Sequence, residues 1–89
     1  MKITGFVWLE TIVEKLWHKH KVEPEEVEEL FEGHYRSRFV EKGNHPGESL
    51  YAAYGQTETG RYLIIFFIYK KNKKALIVSA RDMTRTERR

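Results

Sequence analysis

The apolar positions change period twice along the chain. Ile3 to Trp8 predicts a short first strand. From Leu9 the spacing lengthens: Leu9, Ile12, Val13, Leu16 and Trp17 recur at i, i+3, i+4, i+7 and i+8. That is the stripe of a half-buried helix reaching about His20, with Glu10, Glu14, Lys15, His18 and Lys19 on its other positions. Pro24 suits the first turn of a second helix, and the glutamates after it favour the positive end of the helix dipole. Val27, Leu30 and Phe31 form its apolar side, and Gly33 is its expected stop. At Tyr35 the period shortens to two, with Tyr35, Ser37 and Phe39 alternating with Arg36, Arg38 and Val40. Lys42 to Gly47 is turn chemistry. Leu50 to Tyr54 predicts another strand and Gly55 to Gly60 a loop. Arg61 to Tyr69 is apolar on both faces, as a central strand is. Lys70 to Lys74 forms a charged hairpin tip, and Ala75 to Ala80 the last strand. Thr84, Arg85, Thr86 and Glu87 match a capping box, which predicts a short final helix.

Short turns between successive strands make an antiparallel meander. One face of that sheet needs a cover, and the two helices are the available elements. The expected fold is therefore α+β, with two N-terminal helices packed on one face of an antiparallel β-meander and a short C-terminal helix. The 89 residues make one domain, 1–89. The other sheet face and the last helix are left for function.

Composition narrows the classes. Without cysteine the chain forms no disulfide and no thiolate metal site, which is compatible with a reducing cytosol. No signal segment is expected, because the apolar residues Gly5 to Leu9 run straight into Glu10. The longest apolar run, Tyr62 to Tyr69, falls well short of the roughly 20 residues of a membrane helix. A cytoplasmic location follows as the expectation. The net charge of +3 conceals an asymmetry. Residues 23–32 hold six glutamates and no Lys or Arg, so the remainder carries 16 basic against seven acidic side chains. One acidic helix on a basic body predicts a two-sided molecule whose basic side attracts polyanions; ordinary surface solubility is the plainer reading.

The candidate chemistry rests on a few polar residues. His20 lies eleven residues after Leu9, roughly 1100° around the helix and only about 20° past three full turns. It extends the apolar stripe and points toward the sheet, either as a hydrogen-bonded structural histidine or as an acid–base group. His18 diverges from it by about 200°, so the two make a poor metal pair. Arg81 ends the last strand on the Ser79 side. On a following helix Arg81, Arg85 and Arg88 form one guanidinium cluster suited to phosphate, or they pair with Asp82 and Glu87. Arg36 and Arg38 share a strand face, as edge protection or as phosphate ligands. Glu48 and Arg61 flank turns and are weak signals alone. Tyr51, Tyr54, Tyr62, Phe66 and Phe67 read first as core and second as base-stacking platforms. Nucleotide-binding glycine loops, zinc-helix motifs and nucleophile elbows are missing.

Several short segments in order resemble one family: Phe6-Val7-Trp8, Lys19-His20-Lys21-Val22 before Glu25-Glu26-Val27, Gly47-Glu48-Ser49-Leu50-Tyr51, Gly60-Arg61-Tyr62-Leu63, Val78-Ser79-Ala80-Arg81 and Thr84-Arg85-Thr86-Glu87-Arg88. Together they resemble the BrnT toxins over nearly the whole chain. The chain differs at Lys21, where the family often has glycine, at Leu9, where it often has an acid, and at Leu50, where it often has a basic residue. The resemblance implies a RelE-like fold and a ribonuclease toxin of a type II toxin–antitoxin pair that arrests translation. It implies a BrnA-like antitoxin as partner, RNA as substrate, and operator DNA reached only through the antitoxin complex. It makes His20, Glu48, Arg61 and Arg81 the catalytic candidates; the chemistry of RNA cleavage then leaves Arg36, Arg38, Arg85 and Arg88 to hold the RNA backbone. Cleavage through the RNA's own 2′-OH needs a base, an acid and cations on the phosphoryl oxygens, and no metal or other cofactor. A non-catalytic RNA-binding domain, or a protein-interaction domain on the same scaffold, is the alternative.

Overall fold

Five strands and two helices form in the order the periodicity predicts. The computed structural model describes residues 1–88. The elements are β1 (Gly5–Val7), α1 (Glu10–His20), α2 (Pro24–Glu32), β2 (Tyr35–Glu41), β3 (Leu50–Gln56), β4 (Tyr62–Tyr69) and β5 (Lys74–Asp82). The sheet order is β1-β5-β4-β3-β2. Strands β2 to β5 make the antiparallel meander. The fully antiparallel expectation needs one correction: β1 pairs with β5 in parallel, Phe6 opposite Ala75, so the sheet is mixed. The hydrophobic pattern of a three-residue strand carries no information about which distant edge it joins.

Both helices lie on one face. Leu16, Val22, Val27 and Leu30 pack there against Ala53, Leu63, Ile65, Phe67, Ala75 and Ile77. Phe31 is an aromatic hub, its ring centroid 5.5 Å from Phe6, 4.9 Å from Tyr35 and 5.2 Å from Phe67. Gly55 lets α2 approach the sheet, because a Cβ there would sit 2.8 Å from Leu30 Cγ. The α1 stripe is narrower than its spacing predicts. Leu16 is buried, whereas Leu9 and Trp17 stay 49% and 45% exposed, with the Lys21 ammonium 4.9 Å from the Trp17 ring.

The helix ends follow their chemistry. At the start of α2, Glu26 accepts from the Glu23 amide in a reciprocal capping box, and Pro24 occupies the first turn. α1 ends at Lys21, which adopts the left-handed conformation with φ 53°. Its amide donates to the Trp17 carbonyl, and the next amide, of Val22, to Leu16. Glycine takes this conformation without steric cost and is the usual residue in such a cap. The predicted C-terminal helix is a second correction. Thr84 and Glu87 do form the capping box, with Glu87 N donating to Thr84 Oγ1 and Thr84 N to Glu87 Oε1. It closes a single turn, and among the described residues the only helices are α1 and α2. A first turn fixes several residues for one hydrogen bond and needs further turns or packing to persist as a helix. Neither helix is long and apolar enough to cross a membrane.

Candidate nucleic-acid interface

Strand parity divides the candidate residues between the two sheet faces. Tyr35, Gly55, Leu63 and Asp82 lie across the helix-covered face. Arg36, Tyr54, Ile64 and Arg81 form the neighbouring row on the open face, through the pairings Arg36–Tyr54, Tyr54–Ile64 and Ile64–Arg81. The glutamates of α2 belong to the covered side, and Arg36 and Arg81 to the open side.

Arg61 belongs to the covered side. The tight loop before β4 aims it: Thr57 N donates to the Arg61 carbonyl, and Arg61 N donates to the buried Thr57 Oγ1. Its guanidinium then reaches the junction of both helices. Nε donates to Asp82 Oδ1 at 2.7 Å and Nη2 to Asp82 Oδ2 at 3.1 Å. Nη2 also donates to the His20 carbonyl at 2.7 Å, and Nη1 to the Lys21 carbonyl at 2.6 Å and to Glu26 at 3.1 Å. These contacts use all five N–H donors of the side chain. Arg61 thus ties the C-terminus of α1, the first turn of α2 and the end of β5 into one corner. Its hydrogen bond holds the Asp82 carboxyl below its ordinary range against partial burial, and the nearby charge of His20 lowers it further. His20 is half-buried in that same corner.

Arg81 projects from the other face beside this corner. Its guanidinium grips Glu87 with both amino groups, at 2.8 and 2.9 Å, and donates to the Asp82 carbonyl at 3.1 Å. The Arg81 bond, with help from the Thr84 amide, pulls the Glu87 carboxyl down to about 2. The sign is that of a depressed acid. The pair contributes fully above the ordinary carboxyl range, near 4.5, and its contribution is lost as pH falls toward about 2. Because the pair is partly exposed, thermal midpoints of the wild type and a Glu87→Gln variant are expected to differ only slightly at pH 6 and to converge toward pH 2, as followed by circular dichroism.

Around Arg81 the open face is basic with an aromatic floor. Arg38 Nε donates to Tyr54 Oη at 2.9 Å and the guanidinium leans over that ring. Arg88 lies over Tyr62 at 4.2 Å from the ring centroid. A groove of about 440 Å³ runs between His34, Arg36, Tyr54, Tyr62, Glu87 and Arg88. A second hollow of about 360 Å³ adjoins it at Arg36, Arg38, Tyr54 and Glu87. Arg85 stands exposed on the terminal turn.

The four catalytic candidates therefore do not form one cluster. His20 and Arg61 share the covered corner, and Arg81 stands on the opposite face next to it. Glu48 lies in the turn before Leu50, which pairs with Ile68. That is the far end of β4, about 20 Å from Tyr62 at the strand rise of roughly 3.4 Å per residue. Arg36, Arg38 and Arg88 line the two adjoining hollows, and Arg81 reaches their edge through Glu87, which lines both. Sequence reasoning missed His34 and ranked Tyr54 and Tyr62 as core. The signal for His34 was its place two residues before Arg36 in the same alternation. Among the described residues no three His, Asp or Glu side chains gather as a metal site.

Comparison with known proteins gives one family. Residues 8–87 match the family model described as ribonuclease toxin, BrnT, of type II toxin-antitoxin system. No curated protein matches the chain.

Proposed function

The chain belongs to the BrnT family of ribonuclease toxins of type II toxin–antitoxin systems, and from that premise we propose that it cuts RNA laid across the open face of its sheet, with Arg81 as the cation at the scissile phosphate. One observation carries this reading: Arg81, at the β5 end of the open-face row, holds bidentately the Glu87 carboxylate, which borders both hollows lined by Arg36, Arg38, Arg88, Tyr54 and Tyr62. A guanidinium fork that fits two carboxylate oxygens fits two phosphoryl oxygens equally well.

The chemistry is transfer of the phosphoryl group to the RNA's own 2′-oxygen. The 2′-O–P bond forms, the P–O5′ bond breaks, and the products are a 2′,3′-cyclic phosphate and a 5′-hydroxyl. One proton leaves the 2′-OH and one arrives on the 5′-oxygen. His34 and Tyr54 are the groups in the groove able to carry them. Arg81 stabilises the charge that builds on the phosphoryl oxygens, and Arg36, Arg38 and Arg88 hold the backbone on either side. Arg61 is a positioning residue, because it anchors Asp82, the neighbour of Arg81 in β5. His20 supports the same corner. Glu48 has no part in the groove on this reading. The reaction needs no metal ion.

Such toxins come with an antitoxin partner. On this reading it is BrnA-like, covers the open face, and carries the operator-binding domain. The toxin acts in the cytoplasm on a RelE-like scaffold and arrests translation. A second reading, a protein-interaction domain without activity, draws on the β2 edge, where Phe39 and Val40 stay 54% and 37% exposed. The test is a labelled RNA incubated with purified protein in EDTA, beside the same RNA with 2′-deoxynucleotides at the cut site. Cleavage of the first alone is expected. Cleavage of both, or a requirement for added metal, would overturn the proposed chemistry.

A further inference from the structure

Two side chains of the terminal turn lie on the open face like parts of a nucleotide. The Glu87 carboxylate occupies the Arg81 fork. The next residue, Arg88, lays its planar guanidinium on the ring of Tyr62 at 4.2 Å. The Arg88 amide bonds back to the Thr84 carbonyl, so one short turn presents both groups. An anionic group on Arg81 and a flat group on Tyr62, presented by consecutive residues, are the two kinds of group that a phosphate and its base present.

The groove beside them has matching dimensions. Tyr62 pairs with Gln56 and Tyr54 with Ile64, so the two tyrosines are diagonal neighbours on the open face. Such neighbours stand about 7–8 Å apart at the backbone, within reach of one aromatic ligand. The volume of about 440 Å³ falls within the range of small-ligand sites. His34 and Gln56 put an imidazole and a carboxamide in the lining, where they can meet the donors and acceptors of a base edge. Proteins that take single-stranded RNA stack unpaired bases on aromatic rings and guanidinium planes.

We propose that this groove is a subsite for one unpaired nucleobase of the RNA. The base stacks on Tyr62 in the place of the Arg88 guanidinium, and the adjoining phosphate takes the place of Glu87 on Arg81. The turn from Thr84 to Arg88 is then an internal occupant of the site that RNA must displace. This rests on the open face being the RNA site, and it adds that the substrate strand is single there and that the terminal turn competes with it.

The test is binding of a short single-stranded 2′-O-methyl RNA, which cannot be cleaved through its 2′-oxygen, and of the same sequence in a duplex, by fluorescence anisotropy at fixed salt. The single strand is expected to bind more tightly than the duplex. Tyr62→Leu is expected to weaken single-strand binding about 5- to 100-fold, the range for losing one stacked base, and Tyr62→Phe to leave it within about twofold. Glu87→Gln is expected to tighten it several-fold, by removing the competing charge. Circular dichroism and thermal melts establish that each variant is folded, and Glu87→Gln stands as an independent arm should Tyr62→Leu unfold. Unchanged affinity in a folded Tyr62→Leu variant, preference for the duplex, or weaker binding by Glu87→Gln would each overturn the subsite. If Arg81→Ala abolishes cleavage while Tyr62→Leu binds and cleaves as the wild type does, the subsite falls and the ribonuclease reading stands. If no variant cleaves, the wild type included, the binding arms still decide the subsite.

Discussion

Replacing Arg81 with alanine is expected to slow RNA cleavage by about 100- to 1,000-fold, the usual loss when one preorganised donor to a developing oxyanion is removed. The thermal midpoint should change little, because the lost ion pair with Glu87 is partly exposed, with 34% and 25% of the two side chains accessible. That combination separates a chemical role from a structural one. Arg81→Lys should recover only part of the rate, since an ammonium supplies a point charge in place of a two-pronged fork. Single-turnover rates at saturating RNA report the loss. Binding measured against salt should lose about one unit of slope, as for one phosphate contact. A rate loss accompanied by a large fall in thermal midpoint would reassign Arg81 to the fold.

Arg61→Ala should behave in the opposite way. It leaves two helix-end carbonyls and parts of two carboxylates without their shared donor. Breaking a fully buried pair costs about 3–5 kcal/mol. Here the Arg61 side chain is 24% accessible and that of Asp82 58%, so water recovers some of the loss. An expected destabilisation of about 2–3 kcal/mol follows, on the scale of 10–20 °C in thermal midpoint for a domain this small. Arg61→Lys should restore less than half of it, because three donors on one nitrogen cannot reach four partners arranged around a planar fork. Cleavage by the folded fraction should persist at a reduced rate, as the end of β5 loosens and Arg81 with it. Urea denaturation gives the first quantity, and active-site titration of the folded protein separates it from the second. A stable Arg61→Ala protein with no activity would show that Arg61 touches the substrate after all.

These two arginines also mark the boundary of what the sequence made legible. Local order was readable. The stripe through Ile12 and Leu16, the proline and glutamates opening α2, the alternation from Tyr35 and the doubly apolar β4 all rest on interactions within a few residues. So did the capping box at Thr84 and Glu87, which forms as its pattern predicts yet stops at one turn. Long-range pairing was not readable. β1 reaches β5 across some 70 residues, and no local preference encodes that contact. Parity could have placed Arg81 and Tyr54 on a common face, but only with the register of three strands in hand. Arg61 and Arg81 look alike as strand-flanking cations in a basic chain. They differ because Arg61 precedes the open-face residue Tyr62 and so turns under the helices, whereas Arg81 precedes the covered-face residue Asp82 and so turns outward. Tyr54 and Tyr62 seemed to be core because aromatic residues in strands usually are. Their partial exposure follows from the helices covering one face only.

The most direct measurement is a map of amide chemical shifts on adding a short single-stranded 2′-O-methyl RNA to the folded protein. Perturbations centred on Arg36, Tyr54, Tyr62 and Arg81, fading toward Glu48 and absent from α2, are the predicted result. Perturbations centred on His20, Glu26 and the α1–α2 corner, with the open face silent, would contradict it and place the RNA on the other side of the sheet.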